Sequence, residues 1–229
     1  MHRQSRTGIH QLGTSFRLSA LAVAGTVPRM IVDELPFGFS WFPKEAMTRT
    51  GHALATDDGV WLVDPVDVPE AMERAAALGP PAGVIQLLDR HNRDCAEIAA
   101  RLGVPHLKVP ATIPGSPFEV VKVLDVPGWR EAALWWPEHR ALVVAEVIGT
   151  NKAYRLGDEP AGMHFFVRAL PPGGLRGFQP EHLLVGHGRG VHGPAAAAAL
   201  EQAYARSRRD LPRLAIRVPK LALGAIKRR

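Results

Sequence analysis

The sequence predicts a single mixed α/β domain, and three observations carry that expectation. Residues 60–109 alternate apolar runs with helical stretches, the order that builds a sheet covered by helices. From about residue 118, strand-like runs follow one another across short turns until an alanine-rich helix over 194–209. The chain has 229 residues, 46% of them hydrophobic, enough to bury one core and short of two.

Taken in order, residues 1–29 show no pattern that would pack. They are expected to be a flexible extension, or to precede a native start at Met30. Residues 18–25, apolar and behind three arginines, have the outline of a short signal peptide, a reading ranked below those two. The domain is expected over 30–210. Phe37-Gly38-Phe39-Ser40-Trp41-Phe42-Pro43 suits an edge strand or a cover loop. Residues 48–56 and 60–65 form a hairpin about Asp57-Asp58-Gly59, with Asp64 where the second strand exits. Pro69 opens a helix over 69–78 that Gly79-Pro80-Pro81 ends. A strand over 84–88 leads into the polar heptad Asp89-Arg90-His91-Asn92-Arg93-Asp94-Cys95, a helix closed by Gly103, and a strand over 104–109. Further strands are expected over 118–124, 132–136 and 141–147, with turns at 127–131 and 137–140. Residues 151–176, rich in proline and glycine, read as surface loop with a short helix, and a strand from His182 runs into Gly186-His187-Gly188. Residues 211–229 alternate apolar and basic residues and are expected to lie as an amphipathic segment on the body of the protein.

Composition narrows the function classes. The net charge is +6 and the pI about 10, but the excess sits near Arg3, Arg6 and Arg17 and again from Arg206 to Arg229. A basic end of this kind usually solvates a terminus, and no nucleic-acid motif accompanies it, so no nucleic-acid partner is expected. No apolar run is long enough to span a bilayer. Cys95 is the one cysteine, which excludes an intrachain disulfide and points to a reducing, cytoplasmic setting. Oligomeric state is left open.

The heptad concentrates polar groups in a strand-to-helix turn, where α/β proteins place their sites. It resembles the metal motif T-H-x-H-x-D-H of the metallo-β-lactamase superfamily. Four further landmarks follow that family's order: Val63-Asp64-Pro65; Val126-Pro127-Gly128-Trp129-Arg130-Glu131-Ala132 in the place of P-G-H-T-x-G; Leu142-Val143-Val144-Ala145-Glu146 in the place of a strand ending G-D; and Leu184-Val185-Gly186-His187-Gly188 in the place of a strand ending G-H-G. The resemblance covers about 48–210 and implies a four-layer αββα sandwich with metal ions at one edge.

It does not imply the usual dinuclear zinc centre. At the first metal's three histidine positions stand Arg90, Asn92 and Trp129. Arginine brings a fixed positive charge and tryptophan offers no lone pair, so that metal is expected to be absent. At the second metal's positions stand Asp94, Cys95, Glu146 and His187, a competent donor set for one zinc ion. Two readings follow. In the first, no cofactor binds, an arginine network about Arg90, Asp94 and Glu146 replaces the ion's charge, and the cleft takes a small anionic molecule or partner through Arg90, His91, Asn92, Arg93 and Trp129. In the alternative, one zinc on Asp94, Cys95, Glu146 and His187 hydrolyses an ester, thioester or lactone, with Asp94 and His187 as the catalytic pair. Asp64 is expected buried in both, orienting the motif loop, and His91 is expected at the edge of the site. Cys95 without metal is expected to be a small buried side chain.

Overall fold

The computed structural model describes residues 30–216 apart from Ala46 and Asn92. The extension over 1–29 and the end of the basic segment, 217–229, lie outside the described residues. Two sheets face each other. The first contains β1 (Met30–Leu35), β2 (Gly38–Pro43), β3 (Gly51–Thr56), β4 (Gly59–Val63), β5 (Pro81–Gln86) and β6 (His106–Lys108), adjacent in that order. Its strands are antiparallel up to β4 and parallel from β4 to β6. The parallel crossovers are α1 (Pro69–Leu78) and α2 (Cys95–Leu102). The second sheet contains β7 (Glu119–Val126), β8 (Trp129–Trp136) and β9 (Ala141–Val144). A two-residue pair, β10 (Ile148–Gly149) with β11 (Gly162–Met163), precedes the sheet's last strands, β12 (His182–Val185) and β13 (Val191–His192). Its spatial order is β13-β12-β9-β8-β7. Helix α3 (Pro194–Arg209) follows.

The side-chain period of two sorts the layers. In β4 every residue is buried, as a central strand covered on both faces requires. Val60 and Leu62 pack with Ala71, Ala75, Ile98 and Ala99 of α1 and α2. Trp61 and Val63 point the other way and join Leu134, Leu142 and Val144 between the sheets. Ala196, Ala199, Leu200 and Ala203 bring α3 onto that second body of core. The result is the four-layer αββα arrangement. Burying one side chain such as Ile98 or Leu142 contributes roughly 1.5–3 kcal/mol.

The expected turn over 127–131 contracts to Pro127-Gly128. Gly128 takes φ +77°, Val126 faces Trp129, and β8 therefore begins three residues earlier than its apolar run. Strands β1 and β13 are edge strands too mixed in character to announce themselves in the sequence.

The sheets are stitched together at one end. The Asp89 amide donates to the Arg130 carbonyl at 3.0 Å and the Ala132 amide to the Leu87 carbonyl at 2.9 Å. On the other flank the Thr50 amide donates to Gly186 O at 2.9 Å and the Gly188 amide to Thr48 O at 3.0 Å. The exits of β4, β5, β9 and β12 meet between these two seams.

Candidate metal centre

His91, Glu146 and His187 meet at this edge, one from each of three strand exits. Each offers one ligand atom, and those atoms all lie within 4.8 Å of one another. Glu146 follows β9 and reaches the site from the second sheet. His91 Nε2 is 2.7 Å from Glu146 Oε2, and His187 Nε2 is 3.3 Å from the same oxygen. A third imidazole stands beside them, His164 Nε2 at 3.4 Å from Glu146 Oε1. Tyr154 stacks on His187 with centroids 5.7 Å apart. The four polar side chains are nearly enclosed, from 6% to 13% exposed.

The far side of each principal imidazole is held. Asp64 Oδ2 lies 3.3 Å from His91 Nδ1, while Asp64 Oδ1 accepts the Leu87 amide at 3.1 Å. Asp64 achieves this at φ +43°, a left-handed conformation that aspartate tolerates better than most residues. His187 Nδ1 donates to the Met47 carbonyl at 2.9 Å. His187 can approach so closely because of its neighbours. A Cβ at Gly186 would run into the Ala145 carbonyl, and Gly188, at φ +107°, would meet Thr150.

Burial sets the electrostatics, and the partners correct it. For Glu146 burial favours the neutral acid, but His187 and His91 overcome it and hold the carboxyl far below its usual range. For His91 burial opposes the charge, and Asp64 and Glu146 more than restore it, so its pKa rises. His164 goes the other way: burial lowers it to about 4 despite the Glu146 charge, leaving it neutral near pH 7. Beneath them Glu131 is fully buried and pushed up to about 7, although it accepts the Glu146 and Val147 amides and the Trp129 indole N–H.

The other expected site residues are placed elsewhere. Asp94 accepts the Asp67 amide at 2.7 Å on the outer side of the loop and does not join the cluster. Cys95 opens α2, its thiol buried among Val60, Val84 and Ile98, where burial pushes its pKa up. The expected set Asp94, Cys95, Glu146 and His187 is thus not assembled, since the first two turn toward the helix layer and His91 takes the space. His91, expected at the edge, is central. Arg93 is no cleft group: it is 8% exposed and donates to the carbonyls of Thr50, Asp64 and Gly186 at 2.5–2.9 Å. Nor does Arg90 pair with Asp94 or Glu146. It is exposed and lies 3.9 Å over the Trp129 ring, and among the described residues no arginine pairs with Glu146. Asn92 lies outside the described residues. Asp64 is buried, with its carboxylate on the Leu87 amide and the His91 ring. His164 and Tyr154 fall in the stretch read as surface loop and carried no sequence signal.

The fold is that of the metallo-β-lactamases. The crystal structure of the DIM-1 metallo-β-lactamase is similar over 79% of this chain and 98% of its own, with TM-score 0.58 and 12% identity. TMB-1 is similar over 80% of this chain and 99% of its own, with TM-score 0.53 and 12% identity. No family model matches the chain, and the search of curated proteins gives no match. At 12% identity the likeness concerns the fold, and the chemistry rests on the residues at the site.

Proposed function

We propose that this protein is a hydrolase of metallo-β-lactamase fold that works with a single divalent metal ion, zinc being the best fit, held by His91, Glu146 and His187. One observation carries the reading. Two imidazoles turn their Nε2 atoms to one carboxylate while their Nδ1 atoms are fixed, one on a carboxylate and one on a backbone carbonyl. That outer bonding is how proteins orient histidines that bind metal. Two histidines and a glutamate also form an established zinc donor set with room for water. A zinc ion there would supply a bound water acidic enough to attack a carbonyl near neutral pH. This reading takes one ion and not two, because the family resemblance puts Arg90 and Trp129 at two of the first metal's histidine positions and neither side chain offers a lone pair. In this reading Asp64 and the Met47 carbonyl set the tautomers of His91 and His187. Glu146 supplies negative charge, and His164 can hold a proton beside it at Nε2. Esters, thioesters and lactones are the substrate classes this chemistry suits.

A second reading is favoured by the 2.7 Å contact between His91 and Glu146. A protonated His91 between Asp64 and Glu146 is a closed charge network that needs no ion, and the protein would then bind a small anion at Arg90 without turnover. Elemental analysis of protein purified without added zinc separates the two. One equivalent of metal, lost in His187→Ala and Glu146→Gln, is the expected result. A metal-free protein whose melting temperature ignores chelators would replace the first reading with the second.

A further inference from the structure

Large exposed apolar side chains gather beside this site. Phe165 and Phe166 are 44% and 70% exposed, and their rings lie 4.0 Å apart between centroids. Both pack on His164, at 4.4 and 5.5 Å. On its other side His164 meets Trp129 edge to face at 5.0 Å, and Arg90 lies 3.9 Å over the Trp129 ring. These contacts form a shelf that is open at its ends and closed in its middle: an exposed guanidinium, the buried Trp129, a nearly enclosed imidazole 3.4 Å from Glu146, and two phenylalanines open to solvent.

The ends of the shelf ask for different chemistry. An exposed aromatic pair gains by covering its faces with an apolar group. Arg90 makes one long contact, to Gly128 O at 3.5 Å, and among the described residues no ion pair engages it. Stacked on an indole, its planar fork is held in place, and its N–H groups other than the one on Gly128 are available to a carboxylate. The centre of the shelf adjoins Glu146.

We propose that the shelf selects small O-acylated hydroxy acids: an apolar acyl group over Phe165 and Phe166, a labile ester carbonyl beside His164 and Glu146, and a carboxylate on Arg90. The substrate class rests on the hydrolase reading above, whereas the binding of such an anion does not. The test uses the full-length protein and N-phenylacetylglycine as probe, with its uncharged glycinamide as control, in calorimetric titrations. Wild type is expected to prefer the acid by about tenfold, a charge-assisted contact's worth. Arg90→Gln is expected to abolish that preference and leave the glycinamide unaffected. Phe165→Ser with Phe166→Ser is expected to weaken both compounds about tenfold, the loss of apolar contact. Glu146→Gln is expected to keep the probe binding even where it abolishes hydrolysis of the ester O-(phenylacetyl)glycolate. Equal affinity of wild type for the acid and the glycinamide would overturn the proposal, as would phenylalanine variants that bind like wild type. Binding that follows this pattern in a protein that holds no metal and hydrolyses no ester would retain the shelf and remove the hydrolase.

Discussion

The loop leaving β5 and the two exits from the second sheet reach the same small volume from opposite sides, yet they use their polar residues differently. Of the heptad 89–95, His91 alone among the described residues faces the centre. Arg93 turns under the loop to bind three carbonyls, Asp94 holds the backbone at Asp67, and Cys95 enters the core. The second sheet contributes fewer polar residues, but Glu146 and His187 both point inward. The loop richest in ligand-type side chains is mainly architecture, and the sparser exits supply two of the three clustered groups. A count of His, Cys and Asp in a motif therefore overstates what the motif binds. Each side chain must be asked what backbone group it satisfies first.

Four variants would break or sharpen this contrast. Arg93→Ala should have the largest effect. It strips three carbonyls of a charged donor at the junction of both sheets, so a loss of about 3–5 kcal/mol in denaturant unfolding is expected. A cost below about 1 kcal/mol would mean that the loop is not held this way.

His52 comes next and reports on the first sheet away from the centre. Its ring lies against Ser40 at 2.7 Å, and burial lowers its pKa from 6.5 to about 4. Between those values the unfolded chain takes up a proton that the folded protein refuses. Stability from this group is therefore complete above pH 6.5 and falls as the pH drops toward 4, by roughly 3 kcal/mol in all. His52→Gln should flatten the difference between melting curves taken at pH 7 and pH 4.5. An unchanged difference would place the pH dependence elsewhere.

Asp64→Asn tests whether the loop's role in the proposed metal site passes through His91. If zinc binds as proposed, its affinity should fall about 10–100-fold, the usual penalty for loosening a ligand's outer hydrogen bond, while His187 stays fixed by the Met47 carbonyl. Asp94→Ala should matter least, costing about 1 kcal/mol for the lost Asp67 contact. Its zinc content should equal that of wild type, and a loss of metal would return Asp94 to the ligand set.

Much of the layer structure was legible from periodicity. The run at 60–63 alternates between two cores, and α1 and α3 carry proline at the start, where helices accept it. The centre was legible only in its second half, since Glu146 and His187 end apolar strands and their directions follow from the strand. His91 was not, because a tight turn sets its direction. His91 N bonds back to Leu88 O at 3.1 Å and Arg93 N to His91 O at 2.7 Å, and such a turn exchanges inward and outward positions within one residue. Motif spacing placed Arg90 at a ligand position, and spacing is blind to that exchange. His164 was invisible for another reason: it comes to Glu146 through the two-residue ladder of β10 and β11, too short to leave a pattern.

The double seam between the sheets has a consequence for how the molecule opens. Backbone bonds at Leu87–Asp89 with Arg130–Ala132, and at Thr48–Thr50 with Gly186–Gly188, flank the centre on both sides. Full separation of the two sheets breaks both flanks, so the amides of Thr50, Asp89, Ala132 and Gly188 are expected to be protected from deuterium exchange relative to exposed loop amides. The three strand exits that carry His91, Glu146 and His187 thus lie between backbone seams on both flanks, and their mutual spacing depends on both.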